Sequence, residues 1–333
     1  MKYKSIVAAK RGGPEVLQVV ENELHAPAAG EVRIKVLATG VGRTDVNYRY
    51  GYSPFSPRVP FVPGYEIMGV VEAVGAGVTR VAAGDRVAAL TGHGGYTEMI
   101  YLGQEHLVQV PPPLAPAEVA VLTLNYVSAW QMLHRVAGVK AGDIVLLIGA
   151  SGGVGTALLQ LGRLAGLKMY GTASREKHTI LTGLEAIPID YHTQDFVDVL
   201  CQAEPAGLDF VFDGMGGADS QRGLAVLRSG GKLVAYAPPS GLGKLLQDVL
   251  KMIFINMRRN GGKVESYGIS ALYARDKKPF MEDLPLLFKM LEAGKIKPVI
   301  SQKFSILEAA RANQLLESGK APGNIVLLAP ELL

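Results

Sequence analysis

Apolar residues recur along this chain in two rhythms, and the change falls near Leu122. Before it, short β-forming runs over 4–10, 16–21, 31–38, 67–74, 85–89 and 96–101 are separated by glycine and proline. The breaks are turn signals such as Gly12-Gly13-Pro14, Pro27-Ala28-Ala29-Gly30 and Gly75-Ala76-Gly77. Many short strands with such turns predict a partly closed antiparallel β-barrel. From Pro116 onward the pattern predicts a helix over 116–136, a strand over 144–148, a helix over 154–165 and a strand over 168–171. Further strands follow over 210–213, 231–235 and 263–268, with helical stretches between them. That alternation predicts right-handed βαβ units and a mostly parallel, doubly wound sheet. A last helix over 280–293 and a strand over 324–328 are expected to return to the first domain. The fold class is therefore α/β, with a barrel domain over 1–122 and 269–333 and a nucleotide-binding domain over 123–268.

The richest chemistry lies at 144–155, Ile-Val-Leu-Leu-Ile-Gly-Ala-Ser-Gly-Gly-Val-Gly. An apolar strand runs into a glycine-rich turn and then at once into a helix. That order places a pyrophosphate on free N–H groups at the positive end of a helix dipole. The fingerprint reads Ala150-x-Gly152-x-x-Gly155, with alanine for the first glycine. The next strand, over 167–173, decides which dinucleotide fits. An NAD site places an acid roughly 20 residues past the glycines, for the ribose 2′-hydroxyl. Here the tip reads Ser174-Arg175-Glu176-Lys177. Ser174, Arg175 and Lys177 offer charge-assisted donors to a 2′-phosphate, and Glu176 is expected to turn away from them. NADPH is the expected cofactor; the plainer alternative is a solvated basic helix start.

Composition narrows the classes. A chain of 333 residues is long for one core, and 48% hydrophobic content with 40 glycines suits an α/β enzyme. A net charge of +4 without a long basic tract gives no footprint for nucleic acid. Cys201, the one cysteine, excludes an internal disulfide and a multi-cysteine zinc site, and suits a reducing cytoplasm. The opening Met1-Lys2-Tyr3-Lys4 has no signal-peptide character, and no window of about 18 apolar residues predicts a spanning helix.

The N-terminal half carries a family resemblance. Gly30-Glu31-Val32-Arg33-Ile34-Lys35-Val36, Gly40-Val41-Gly42-Arg43-Thr44-Asp45, Pro63-Gly64-Tyr65-Glu66-Ile67-Met68-Gly69-Val70-Val71 and Gly84-Asp85-Arg86-Val87 resemble the medium-chain dehydrogenase/reductase superfamily. The resemblance implies a chaperonin-10-like barrel plus a Rossmann domain, with the active site in the cleft between them. Zinc members carry Cys where this chain has Gly42 and His where it has Tyr65, and they add a cysteine-rich lobe that is missing here. Glu66 and the loop imidazole His93 do not make up a zinc set, so no metal is expected. The Ala-x-x-Gly-Gly-Val-Gly turn resembles zinc-free quinone oxidoreductases. Asn125-Tyr126-Val127-Ser128-Ala129-Trp130 and Ile189-Asp190-Tyr191-His192-Thr193 resemble their vesicle amine transport protein branch.

That resemblance implies NADPH as donor, a quinone or conjugated carbonyl as acceptor, and a homodimer. It puts Ser128 near the nicotinamide, and Gly152, Gly153 and Val154 at the pyrophosphate. Ser174, Lys177 and Tyr191 surround the 2′-phosphate, while Tyr236 and the segment around Gly268 flank the nicotinamide. Asn324 stands where the family has a basic residue near the phosphates. The cleft-lining residues would be Arg43, Thr44, Asn47, Tyr48, Tyr52 and Tyr65, with Tyr48, Tyr50 and Tyr52 read as one aromatic-rich loop. Thr44 matches a hydroxyl relay position and Asn47 replaces the relay histidine. Tyr52 lies one residue from a family tyrosine, whose place Ser53 takes. Thr44, Asn47 and Tyr52 are thus the candidate donors.

One segment, 241–260, has no counterpart in the simplest quinone reductases. Its apolar residues and basic end, Arg258 and Arg259, allow a substrate lid, a dimer element or an interfacial membrane helix. An NADPH-dependent reductase and an NADPH-binding interaction or membrane-surface protein therefore both stay open.

Overall fold

The computed structural model describes residues 1–237, 241–257 and 262–333, without the side chains of Leu242 and Lys244. Its strands are β1 (Lys2–Ala8), β2 (Leu17–Glu23), β3 (Glu31–Val41), β4 (Glu66–Val74), β5 (Arg86–Leu90), β6 (Met99–Gly103), β7 (Val108–Gln109), β8 (Ile144–Ile148), β9 (Lys168–Ala173), β10 (Ala186–Asp190), β11 (Leu208–Asp213), β12 (Leu227–Ala235), β13 (Lys263–Ser266), β14 (Ile300–Ser305) and β15 (Asn324–Leu328). The chain divides into two compact units, Met1–Val127 with Lys277–Leu333, and Ser128–Asp276.

In the first unit β3 is the organising strand. One of its edges pairs with β4; the other pairs with β6 over Glu31–Lys35 and with β15 over Ala38–Val41. Val32, Ile34, Val36 and Ala38 are buried at the period of 2 that turns alternate side chains to one face. Val32, Ile34 and Val36 pack with Ile67, Val71, Val87, Ile306, Ile325 and Leu327 into one core. The sheet is antiparallel except for the β14–β15 pair. The return of 324–328 to the first domain, expected from the sequence, is this pairing of β15 with β3.

The stretch read as an aromatic loop is instead a helix, Arg43–Tyr50, and this is a correction. Asp45 at the third helical position accepts from the Gly42 N–H at 2.9 Å, and Gly51, at φ 74°, ends the helix in the left-handed region. Close tyrosines hid the caps. The buried Arg49 of this helix donates to the carbonyl of Gly12 and to Glu317, and lies over the Tyr50 ring. One guanidinium thereby joins the N-terminal loop, this helix and the C-terminal helix Ala309–Glu317.

The second unit holds a six-stranded, wholly parallel sheet in the order β10-β9-β8-β11-β12-β13. The chain starts at the centre with β8, builds outward through β9 and β10, then returns to β11 and builds the other way. Connections leave β8 and β11 in opposite directions, and such a switch point opens a crevice at the carboxyl ends of the strands. On the edge, helix Leu242–Asn256 is tied to β13 by the Asn256 amide, which donates to the Val264 carbonyl at 2.9 Å and accepts its N–H at 2.8 Å. Leu246, Leu250 and Phe254 recur along the exposed side of this helix, more than half exposed. Arg258 and Arg259, the basic end expected from the sequence, lie outside the described residues. Among the described residues, no helix is long and apolar enough to cross a membrane.

Removing the carboxylate from the Arg49 pair leaves a buried cation without its counter-charge. Glu317→Ala should lower stability by about 3 kcal/mol, the low end for a broken buried pair because Glu317 is 22% exposed. Urea denaturation checks it; an unchanged midpoint would show that Arg49 gains nothing from Glu317.

Candidate nucleotide-binding and active site

At the carboxyl end of β8 the turn is stitched to β9. The Gly149 N–H donates to Thr172 Oγ1 at 3.0 Å and the Ala150 N–H to the Thr172 carbonyl at 3.1 Å. Helix Gly153–Leu164 starts directly afterwards. A Cβ on Gly155 would lie 2.5 Å from the Ala150 carbonyl oxygen and 2.6 Å from that of Gly149, so only glycine lets the helix start this close. Ala150 faces Gly171, where an added Cβ would come within 2.7 Å of the alanine methyl. The first-turn N–H groups of Gly153, Val154 and Gly155 have no helical carbonyl before them, and Gly152 is exposed. This is a cradle for an anion, with donors and dipole aligned.

The other candidates of this unit sit at the same edge. Ser174 follows β9, Tyr191 follows β10, Tyr236 follows β12, and Gly268 lies just past β13. Tyr191 is exposed, its ring 4.3 Å from that of His192. Tyr236 covers Gly214, where a Cβ would meet its hydroxyl at 2.6 Å, and burial and then the Asp213 charge push that hydroxyl upward. Tyr267 is buried and donates to Gln131 Oε1 at 2.9 Å, one turn along from the buried Ser128. Arg175 is exposed and Lys177 half-buried. Glu176 departs from expectation: rather than turning away, it accepts the Ser174 hydroxyl at 2.6 Å. Its carboxyl is held below the ordinary range by that bond, by its own backbone, and by Lys177 and His192.

In the first unit, Thr44, Asn47 and Tyr48 lie on helix Arg43–Tyr50. The rings of Tyr48 and the buried Tyr65 pack against one another, with centroids 6.1 Å apart and planes tilted by 43°. Tyr52 stands apart from that pair: it is 55% exposed and stacks on Tyr50 at 5.0 Å. Asn324 is buried in a structural bridge. Its carbonyl oxygen accepts from Asn125 at 2.6 Å and its amide donates to the Val299 carbonyl at 2.9 Å. A second group, missed by the sequence reading, lies beneath Tyr65. Asp45 accepts from the N–H groups of Gly42 and Gly64 at 2.9 Å and from the Tyr96 hydroxyl at 3.3 Å. Glu66 accepts from the Gly40 N–H at 2.9 Å, so close that a Cβ on Gly40 would meet its carboxylate at 2.1 Å. Burial outweighs those donors and raises Asp45 to about 6. Glu66 is raised well above its ordinary value by burial and then by Asp45. The signal for Asp45 was present, since Gly42 and Asp45 have the spacing of a helix cap.

These residues do not fit catalytic zinc. Gly42 offers no side chain, Tyr65 is engaged with Tyr48, and among the described residues no group of three or more His, Cys, Asp and Glu is placed to hold a metal.

Comparison with known proteins agrees with this architecture. Residues 28–112 match the family model for the alcohol dehydrogenase GroES-like domain, and residues 183–327 match that for zinc-binding dehydrogenase. The chain is 31% identical to the quinone oxidoreductase of Sus scrofa over 96% of its own length and 95% of that protein's. It is 38% identical over 66% of its length to the synaptic vesicle membrane protein VAT-1 homolog of Rattus norvegicus, of which the match spans 54%. The structure of Escherichia coli quinone oxidoreductase, solved in complex with NADPH, superposes with a TM-score of 0.88 at 27% identity, covering 98% of this chain and 99% of that one.

The buried carboxyls carry a pH signature. Both bind protons more tightly in the folded chain than in the unfolded one. Their stabilising contribution is therefore complete below the unfolded value of 3.8 for Asp45, and is lost as the pH rises through about 6. Glu66 extends the loss upward. Glu66→Gln keeps an oxygen for the Gly40 N–H but cannot ionise. Its stability relative to the parent should grow from pH 4 to pH 8, followed by thermal unfolding; a difference that stays flat or shrinks would contradict this.

Proposed function

The chain belongs to the quinone oxidoreductase family of the medium-chain dehydrogenase/reductase superfamily, and from that premise we propose that it reduces a quinone or an α,β-unsaturated carbonyl with NADPH and without a metal. The observation that carries this reading is the glycine turn at the carboxyl end of β8, with Ser174 and Lys177 at the tip of the next strand. In this reading the N–H groups of Gly153, Val154 and Gly155 hold the pyrophosphate, beside Ala150 and the exposed Gly152. Ser174, Arg175, Lys177 and Tyr191 take the adenosine 2′-phosphate. Ser128, Tyr236 and Gly268 border the nicotinamide. The bound dinucleotide supplies the hydride. Asn324, which the resemblance puts near the phosphates, already holds Asn125 and the Val299 carbonyl.

With zinc unsuited to the donor set, rate enhancement comes mainly from holding the acceptor carbon about 3–3.5 Å from the reduced ring. A quinone needs little more, because the hydroquinone anion is delocalised and takes protons from water. An enone needs a placed hydrogen-bond donor. Of the sequence candidates, Thr44 and Asn47 lie one turn apart on helix Arg43–Tyr50 and can offer hydrogen bonds to a developing enolate oxygen, with the proton itself taken from water; Tyr52 is exposed. The proposal includes a homodimer in a reducing cytoplasm.

A second reading has its own support: the exposed Leu246, Leu250 and Phe254, and the likeness to a vesicle membrane protein. It makes the chain an NADPH-binding protein of a membrane surface with weak reductase activity. Oxidation of NADPH by 9,10-phenanthrenequinone, 1,4-benzoquinone and an alkenal separates the two. Turnover with a quinone supports the first; turnover with none, with liposome flotation lost when Arg258 and Arg259 are removed, supports the second. Lys177→Ala should weaken NADPH roughly 10- to 100-fold, the scale of a charge-assisted hydrogen bond, and leave NADH nearly unchanged. Equal losses for both coenzymes in calorimetric titration would overturn the phosphate assignment.

A further inference from the structure

The tip of β9 already contains an anion of its own. Ser174 is fixed: it is 3% exposed, and its carbonyl accepts the Lys177 N–H at 2.9 Å at the start of the turn Arg175–Lys177. A hydroxyl has one proton to donate, and here it goes to Glu176 at 2.6 Å. The carboxylate also lies within reach of the Lys177 charge and of the His192 ring. We infer that Glu176 is a built-in competitor for the coenzyme's 2′-phosphate, occupying the Ser174 hydroxyl and drawing on the same Lys177 charge, so that it sets how far the chain prefers NADPH to NADH. This rests on the 2′-phosphate reading above.

The two partners differ in freedom. Ser174 is buried and cannot leave, whereas Glu176 is exposed and can rotate into water at little cost. An incoming 2′-phosphate must therefore displace the carboxylate from Ser174 and then bind beside a like charge. The ribose 2′-hydroxyl of NADH meets the opposite situation, since it can donate to the carboxylate where it already stands. Glu176 thus penalises the phosphorylated coenzyme and tolerates the other. Its position two residues past the strand tip, beside three potential phosphate donors, makes selectivity adjustable by a single charge.

Calorimetric titration of the coenzyme-free protein tests this with NADPH and NADH, and with 2′,5′-ADP and 5′-AMP as probes lacking the nicotinamide. Glu176→Gln and Glu176→Ala should bind NADPH and 2′,5′-ADP several-fold to about tenfold more tightly, as expected for loss of one like charge near a phosphate in a solvent-exposed setting. Binding of NADH and 5′-AMP should stay level or weaken. If NADPH binds the parent and both variants equally, or the variants more weakly, the role of Glu176 falls while the phosphate site stands. If neither NADPH nor 2′,5′-ADP binds parent or variants although NADH does, the phosphate site itself falls and takes this inference with it.

Discussion

The contact on which the rest of the structure depends is the seating of helix Gly153–Leu164 against the carbonyls of Gly149 and Ala150. No side chain fits at Gly155, and that closeness aims three first-turn N–H groups at one point beyond the sheet. The parallel order around β8 and β11 supplies the opening at that point, because the chain leaves the two central strands in opposite directions. The hydroxyl at Ser174 and the aromatic ring at Tyr236 are then placed by strand ends, not by flexible loops. Binding precision of this kind follows from backbone geometry, and it tolerates wide change elsewhere in the sequence.

The first unit solves a different problem. It buries two carboxyls, Asp45 and Glu66, close to the buried Tyr65. Backbone N–H groups of Gly40, Gly42 and Gly64 satisfy the carboxyls, and glycine is needed at Gly40 because the carboxylate lies where a Cβ would be. Burial raises both groups, Asp45 to about 6 and Glu66 well above its ordinary value, so each takes up a proton more readily than it would in water.

Much of this was legible in the residues. β8 and β15 run over 144–148 and 324–328 as the apolar pattern predicts, since buried strands bounded by glycine have sharp ends. The helix Arg43–Tyr50 was not read, because three tyrosines at alternate positions mask a cap that Gly42 and Asp45 spell out. Glu176 was expected to turn outward, yet a hydroxyl two residues earlier captures it, a local bond that no periodicity reports. Asn324 stands where the family has a basic residue; its side-chain amide accepts from Asn125 and donates to the Val299 carbonyl, pairings that no sequence pattern reports.

The most direct measurement is calorimetry of NADPH on the parent protein and on Gly155→Val, with circular dichroism to show that the variant is folded. The parent should bind at a single site and the folded variant should not, because a branched side chain at this position must push the helix start away from the turn. Undiminished binding by the folded variant, or no heat from the parent, would contradict it.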